Sequence, residues 1–249
     1  MRKKIVAGNW KMNFTPSQSA EFIATNKVNF ESEKAEIILC VPYVTLQTAQ
    51  DTLKGTSIKV AAQNVHQEEK GAYTGEISVS MLKDMSVPYV IVGHSERRQF
   101  FNETDVTVSA KTKLTLDHGL VPIVCVGETH AQRLNNETAN VITTQLTAVL
   151  SILTAAEVAK LVIAYEPVWA IGTGLVATNE QAEEVCARIR ADIGGHFGQD
   201  IADQVRILYG GSVTADSAKE LFAQPNIDGG LVGGASLQAS FAEVVKACE

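Results

Sequence analysis

Eight short runs rich in Val, Ile, Leu and Ala punctuate this chain: KIVAGN, EIILCVP, IKVAAQN, YVIVGHS, VPIVCVGE, LVIAYEP, RILYGGS and GGLVGGAS. They alternate too little for a sheet with one wet face, whereas near-continuous apolar runs suit parallel strands covered on both sides. Amphipathic stretches lie between them, and four are long enough to predict helices, over 19–30, 106–119, 140–153 and 179–194. Spread over 249 residues, the repeat is ~31 residues per strand and helix, the size of a βαβ crossover. Eight such units close into a (β/α)₈ barrel more naturally than they form an open sheet. The doubly wound open sheet is the alternative; it usually carries a Gly-rich fingerprint after its first strand, where this chain reads AGNWKMN. No linker rich in Ser, Gly or Pro and no charge block interrupts the pattern, so one domain over 1–249 is expected.

Composition narrows the function classes. The formal net charge is -7, from acids scattered along the chain, which argues against a nucleic-acid or anionic-membrane surface built from clustered cations. An anionic ligand would have to be held locally. The start, MRKKIVAGNWK, has too short an apolar stretch for a signal peptide, and no run of roughly 18 apolar residues offers a membrane span, so a cytoplasmic location is expected. Cys40, Cys125, Cys186 and Cys248 lack the paired spacings of zinc or redox sites, and free thiols are expected. The five histidines, 66, 94, 118, 130 and 196, have no partner at metal-ligand spacing; with no nucleotide fingerprint either, neither metal nor cofactor is expected.

A (β/α)₈ barrel carries its chemistry at the C-terminal ends of its strands. The sixth run ends in Glu166, followed by Pro167, which stiffens the exit and restricts Glu166 to extended geometry. A rigidly held carboxylate in a closable mouth suits a general base. After it, Gly172 and Gly174 supply backbone freedom, Trp169 an anchor, and Thr178 or Asn179 a cap for the next helix, which together describe a lid. His94 ends the fourth run where a helix begins; a helix N-terminus disfavours imidazolium, so a neutral ring donating to a substrate oxygen is expected. Lys11, after Asn9 and Trp10, is the cation that would attract an anion and stabilise an oxyanion, with Asn9 adding a neutral donor. Gly211, Ser212, Gly233 and Gly234 follow the seventh and eighth runs, where barrels commonly bind phosphate with loop amides, and Gly172 would close over the same group.

The motifs AGNWKMN, IVGHSERR, CVGE, AYEPVWAIGTG, YGGSV and VGGASL occur in that order from the start of the chain to its last strand. In these the chain resembles the triosephosphate isomerase family. The resemblance implies isomerisation of a small phosphorylated triose through an enediolate, in glycolysis and gluconeogenesis. It implies Lys11 as the electrostatic residue with Asn9 beside it, His94 as electrophile, Glu166 as base, and Gly172, Ser212, Gly233 and Gly234 on the phosphate. It also implies a homodimer in which the long third loop, with Tyr73, Thr74 and Gly75 at its tip, enters the neighbouring subunit, Thr74 approaching that subunit's site and Glu76 pairing with an arginine such as Arg97. One departure concerns the lid, where many members have Lys and this chain has Leu175; it is expected to tune loop motion only. The role of Cys125, near the mouth on the fifth run, is open. Two rival readings are a different phosphate-binding barrel isomerase, such as a phosphoribosyl isomerase, and a non-catalytic barrel that binds phosphorylated metabolites.

Overall fold

A computed structural model describes residues 2–248. Eight strands close into one barrel in sequence order: β1 (Lys4–Asn9), β2 (Ala35–Val41), β3 (Lys59–Ala62), β4 (Tyr89–Val92), β5 (Val121–Val126), β6 (Val162–Tyr165), β7 (Arg206–Tyr209) and β8 (Gly229–Val232). Every neighbouring pair is parallel, and β8 returns to β1, so the open-sheet alternative falls. All eight expected runs contain a strand.

Strand period accounts for the near absence of polar residues. Ile5, Ala7, Ile38, Ile91, Ile123 and Leu208 point inward and fill the barrel, while Val6, Ile37, Leu39, Val90, Val124 and Ile207 point outward against the helices. Both faces are dry, which the unalternating runs require.

The four predicted helices are all present with shifted limits: those expected over 106–119 and 140–153 run Asp105–Asp117 and Thr138–Leu150, starting and ending earlier than predicted. The first starts at Pro16, ahead of the expected Ser19: Thr15 accepts from the Gln18 amide, Gln18 answers to the Thr15 amide, and proline is well tolerated in a first turn. The helix Asn179–Phe197 outruns its expected end at Gly194, and Gly198, at φ 88°, stops it instead. It buries Ala182, Val185, Cys186, Ile189 and Ile193 along one face; each large aliphatic contributes about 1.5–3 kcal/mol.

Closure between β7 and β1 depends on Asp228 and Gly229. Asp228 accepts from Arg190 (2.7 Å), Arg2 (2.7 Å) and the Ile207 amide (2.9 Å), while its carbonyl accepts from the Ile5 amide at 2.9 Å. Gly229 has φ 125°, and a Cβ there would lie 1.9 Å from the Ile5 carbonyl oxygen, so no other residue fits.

Candidate active site

At the C-terminal mouth a cleft of about 690 Å³ is lined by Asn9, Lys11, His94, Glu166, Gly172, Gly211, Ser212, Gly233 and Gly234. Every candidate from the sequence therefore meets in one place. They come from the ends of β1, β4, β6, β7 and β8 and the loops that follow.

Glu166 is only 2% exposed and is held by three donors. The Ser95 amide donates to Oε2 (2.9 Å), the Ser95 hydroxyl to Oε1 (3.1 Å), and His94 Nε2 lies 2.9 Å from Oε1. Burial pushes the carboxyl up, but His94 and the two Ser95 donors outweigh it, and the net direction is down. Glu166 is thus a carboxylate at neutral pH.

His94 caps the helix Ser95–Phe100, and its Nδ1 accepts from the Glu96 amide at 3.2 Å. With Nδ1 accepting, the ring proton sits on Nε2 and points at Glu166. Burial pulls the imidazole down while the adjacent Glu166 carboxylate raises it, for a net upward direction. That direction belongs to the two groups in contact. A backbone N–H aimed into Nδ1 opposes a second ring proton, and the neutral Nε2–H tautomer fits this geometry.

Lys11 adopts φ 52°, a left-handed conformation that costs a lysine about 1–2 kcal/mol. Surrounding bonds hold it there: its amide donates to Asn9 Oδ1 (3.0 Å), and Gln63 Nε2 donates to its carbonyl (2.9 Å). Its ammonium donates to Glu96 Oε1 at 2.5 Å. Asn9 therefore orients the Lys11 backbone.

Where the loop after β8 lines the cleft, Gly234 begins a 3₁₀ turn, Gly234–Leu237. Gly210 was not singled out from the sequence, yet a Cβ there would lie 2.9 Å from Glu166 Cγ, so its smallness leaves room for that side chain.

The segment after Glu166 is stiff at its base and exposed at its tip. Val168–Ala170 forms a 3₁₀ turn, and Trp169 Nε1 donates to the buried Glu128 at 2.8 Å, with Arg133 stacked 5.6 Å over the indole. Gly172 and Gly174 follow at φ 68° and 82°, Leu175 is exposed, and Thr178 caps the next helix. Glu128, the acid of CVGE, also accepts from Tyr165 at 3.1 Å. It lies just past β5, and the rule that picked Glu166, an acid following an apolar run, would have found it.

Cys125 lies inside the barrel, and burial, then the Glu166 carboxylate, push its thiol well up; it fills core and is no thiolate nucleophile. Among the described residues, no three His, Cys, Asp or Glu side chains are grouped to hold a metal ion. No helix among them is long and apolar enough to cross a membrane.

Residues 4–248 match the triosephosphate isomerase family. Among its relatives are triosephosphate isomerases of Acetivibrio thermocellus, 55% identical over 95% of this chain and 94% of the relative, and of Clostridium perfringens, 51% identical over 98% and 99%. That of Clostridium botulinum is 51% identical over 96% of each chain.

Proposed function

Because the chain belongs to the triosephosphate isomerase family, it is an isomerase that interconverts D-glyceraldehyde 3-phosphate and dihydroxyacetone phosphate, a step of glycolysis, and we propose that Glu166 is the base that moves the proton. The observation that carries this assignment is the kind of partner Glu166 has: the donors are a backbone amide, a hydroxyl and an imidazole, none of them a fixed cation. A carboxylate tied to three donors is a poor base. Leaving Ser95 and turning into a closed, dry cleft removes two donors while burial remains, so its proton affinity rises at the substrate carbon.

Glu166 then takes a proton from the carbon beside the carbonyl and returns it to the neighbouring carbon. The oxyanion of the enediolate receives the Nε2–H of His94 and the field of Lys11. His94 passes protons between the two substrate oxygens. Loop amides at Gly211, Ser212, Gly233 and Gly234 hold the phosphate, and Gly172 closes over it from the lid. Closure excludes water and keeps the enediolate from expelling phosphate. The binding-only barrel and the phosphoribosyl isomerase have no observation in their favour. The chain works as one barrel domain in the cytoplasm, and the same reaction serves sugar synthesis.

The subunit is half of a homodimer. Tyr73, Thr74 and Gly75 stand exposed at the tip of the third loop, and Met12, Val44, Met81 and Phe101 expose large apolar side chains. A second cavity of about 290 Å³ beside Asn9 and Lys11, lined also by Met12, Tyr43 and Phe101, is the socket for the partner's loop tip. Within its own chain Arg97 engages Glu103 and lies 4.9 Å over Phe101, and its guanidinium is the candidate partner for Glu76 of the other copy. Sedimentation should give twice the chain mass, and Thr74→Arg should yield folded, weakly active monomers; a fully active monomer would contradict the dimer.

Turnover of glyceraldehyde 3-phosphate in excess chelator tests the enzymatic reading. Fast conversion that collapses in Glu166→Asp with unchanged circular dichroism is the expected result. Full activity in that variant would remove Glu166 from its role.

A further inference from the structure

The opposite end of the barrel carries a charge pattern the isomerase chemistry does not use. Counting back two residues from the inward-facing Ile5, Val162 and Leu208 gives Lys3, Lys160 and Arg206. With Arg2 these line one cleft of about 670 Å³ at the N-terminal mouth, where Asp203 is the only carboxylate among the described residues of the lining. The same count from Ala61 gives Lys59 and from Ile38 gives Glu36, whose carboxylate accepts from Tyr89 at 2.8 Å. In a chain of net charge -7, four cations have been gathered around one opening.

Local partners do not satisfy them. Arg2 is engaged, with Asp228 at 2.7 Å and Asp203 at 3.8 Å. Lys3 and Lys160 form no ion pair with any described residue. Arg206 is half-buried in the cleft wall, and its Nε is buried with no hydrogen-bond partner among the described residues. A buried guanidinium nitrogen without an acceptor is costly, and converging like charges repel. An anion with several acceptor oxygens relieves that repulsion.

We propose that this N-terminal mouth is an anion site for a small, multiply charged phosphate compound bearing a diphosphate group, bound by Lys3, Lys160 and Arg206 and separate from the catalytic cleft. A single cleft of this size at one end of the barrel suits a small molecule, and the net charge of -7 offers no extended basic surface for a nucleic acid or a membrane. Three uncommitted cations call for more than one negative charge.

The test is calorimetric titration of the full-length protein with inorganic pyrophosphate while saturating dihydroxyacetone phosphate fills the catalytic cleft. One site per chain is expected, with Kd below about 1 mM near 20 mM salt and weakening about tenfold near 300 mM. The double variant Lys3→Gln, Lys160→Gln, both exposed and outside the catalytic machinery, should lose about tenfold in affinity at unchanged kcat/KM. Arg206→Lys, which keeps the charge and removes the guanidinium fork, should weaken binding while circular dichroism is unaltered. Absence of saturable binding with the cleft filled, or equal affinity in the double variant, would overturn the site.

Discussion

Glu103 and Glu166 are both buried carboxylates close to strand ends, and they are satisfied by opposite kinds of partner. Glu103 accepts from Lys111 (2.6 Å), from Arg97 and from the Gly93 amide (3.2 Å), and Lys111 in turn donates to Asn64 at 2.9 Å. Burial pushes Glu103 up, and its two cations bring it down to a net lowered value. Glu166 shows the same net direction, brought down by His94 and the two Ser95 donors, none of them a fixed cation. Two fixed cations cannot be left behind without exposing unpaired buried charge, so Glu103 is locked in place and braces the strand end before His94. An amide, a hydroxyl and a neutral ring can be released at modest cost, so Glu166 is free to turn to the substrate. A depressed carboxyl alone does not mark a catalytic group; the mobility its partners allow does.

The largest expected effect separates the two in activity. Glu166→Asp should lower kcat by ~10²–10⁴-fold, about 3–5 kcal/mol of barrier, with no loss of thermal stability. Glu103→Gln should do the reverse, costing about 3–5 kcal/mol of stability by leaving Lys111 and Arg97 facing a neutral group, while kcat per folded molecule stays within a few-fold. Urea unfolding and initial rates on both variants check the pair, and a stable Glu103→Gln protein would break the comparison.

The pH dependence follows from the same directions. Because the folded Glu103 carboxyl lies below its ordinary value of 4.5, its contribution to stability is present above that value and fades as pH falls toward the folded one. Acid unfolding of the native protein should therefore be steeper than that of Glu103→Gln.

Ser95→Ala gives a smaller effect. It removes one of three donors, so stability should fall by about 0.5–1.5 kcal/mol. The Glu166 carboxyl, less held down, should move the acid limb of kcat/KM to higher pH, since the active carboxylate is lost as pH drops through its folded value. An unmoved limb would show that the hydroxyl contributes nothing to its acidity. Smallest of all is Leu175→Lys, at an exposed lid position, expected within about 0.5 kcal/mol of native stability, with any change confined to lid-limited turnover.

Much of this was legible in the sequence because it is local. Unalternating apolar runs at a fixed spacing define eight strands buried on both faces, and polar residues interrupting those runs mark the mouth. Asn9, Lys11, His94 and Glu166 were found that way. Ser95 as the residue that holds Glu166 was not, because the contact spans 71 positions and a serine at a helix start looks like any cap. The Lys11–Glu96 and Lys111–Glu103 pairs, and the Glu128 anchor under Trp169, likewise exist only once separate strand ends are brought together. The Thr15 cap was readable in TPSQ, but the helix was started from its apolar periodicity, which begins later.

The central claim is that Glu166 carries the proton. Incubating dihydroxyacetone phosphate with the native protein and with Glu166→Gln in D₂O, and following deuterium at the substrate carbon by NMR, tests it most directly. The native chain should introduce deuterium rapidly, and the variant should introduce it ~10²–10⁴-fold more slowly while still binding the substrate and keeping its circular dichroism. Exchange within tenfold of native in the folded variant would mean that another group moves the proton.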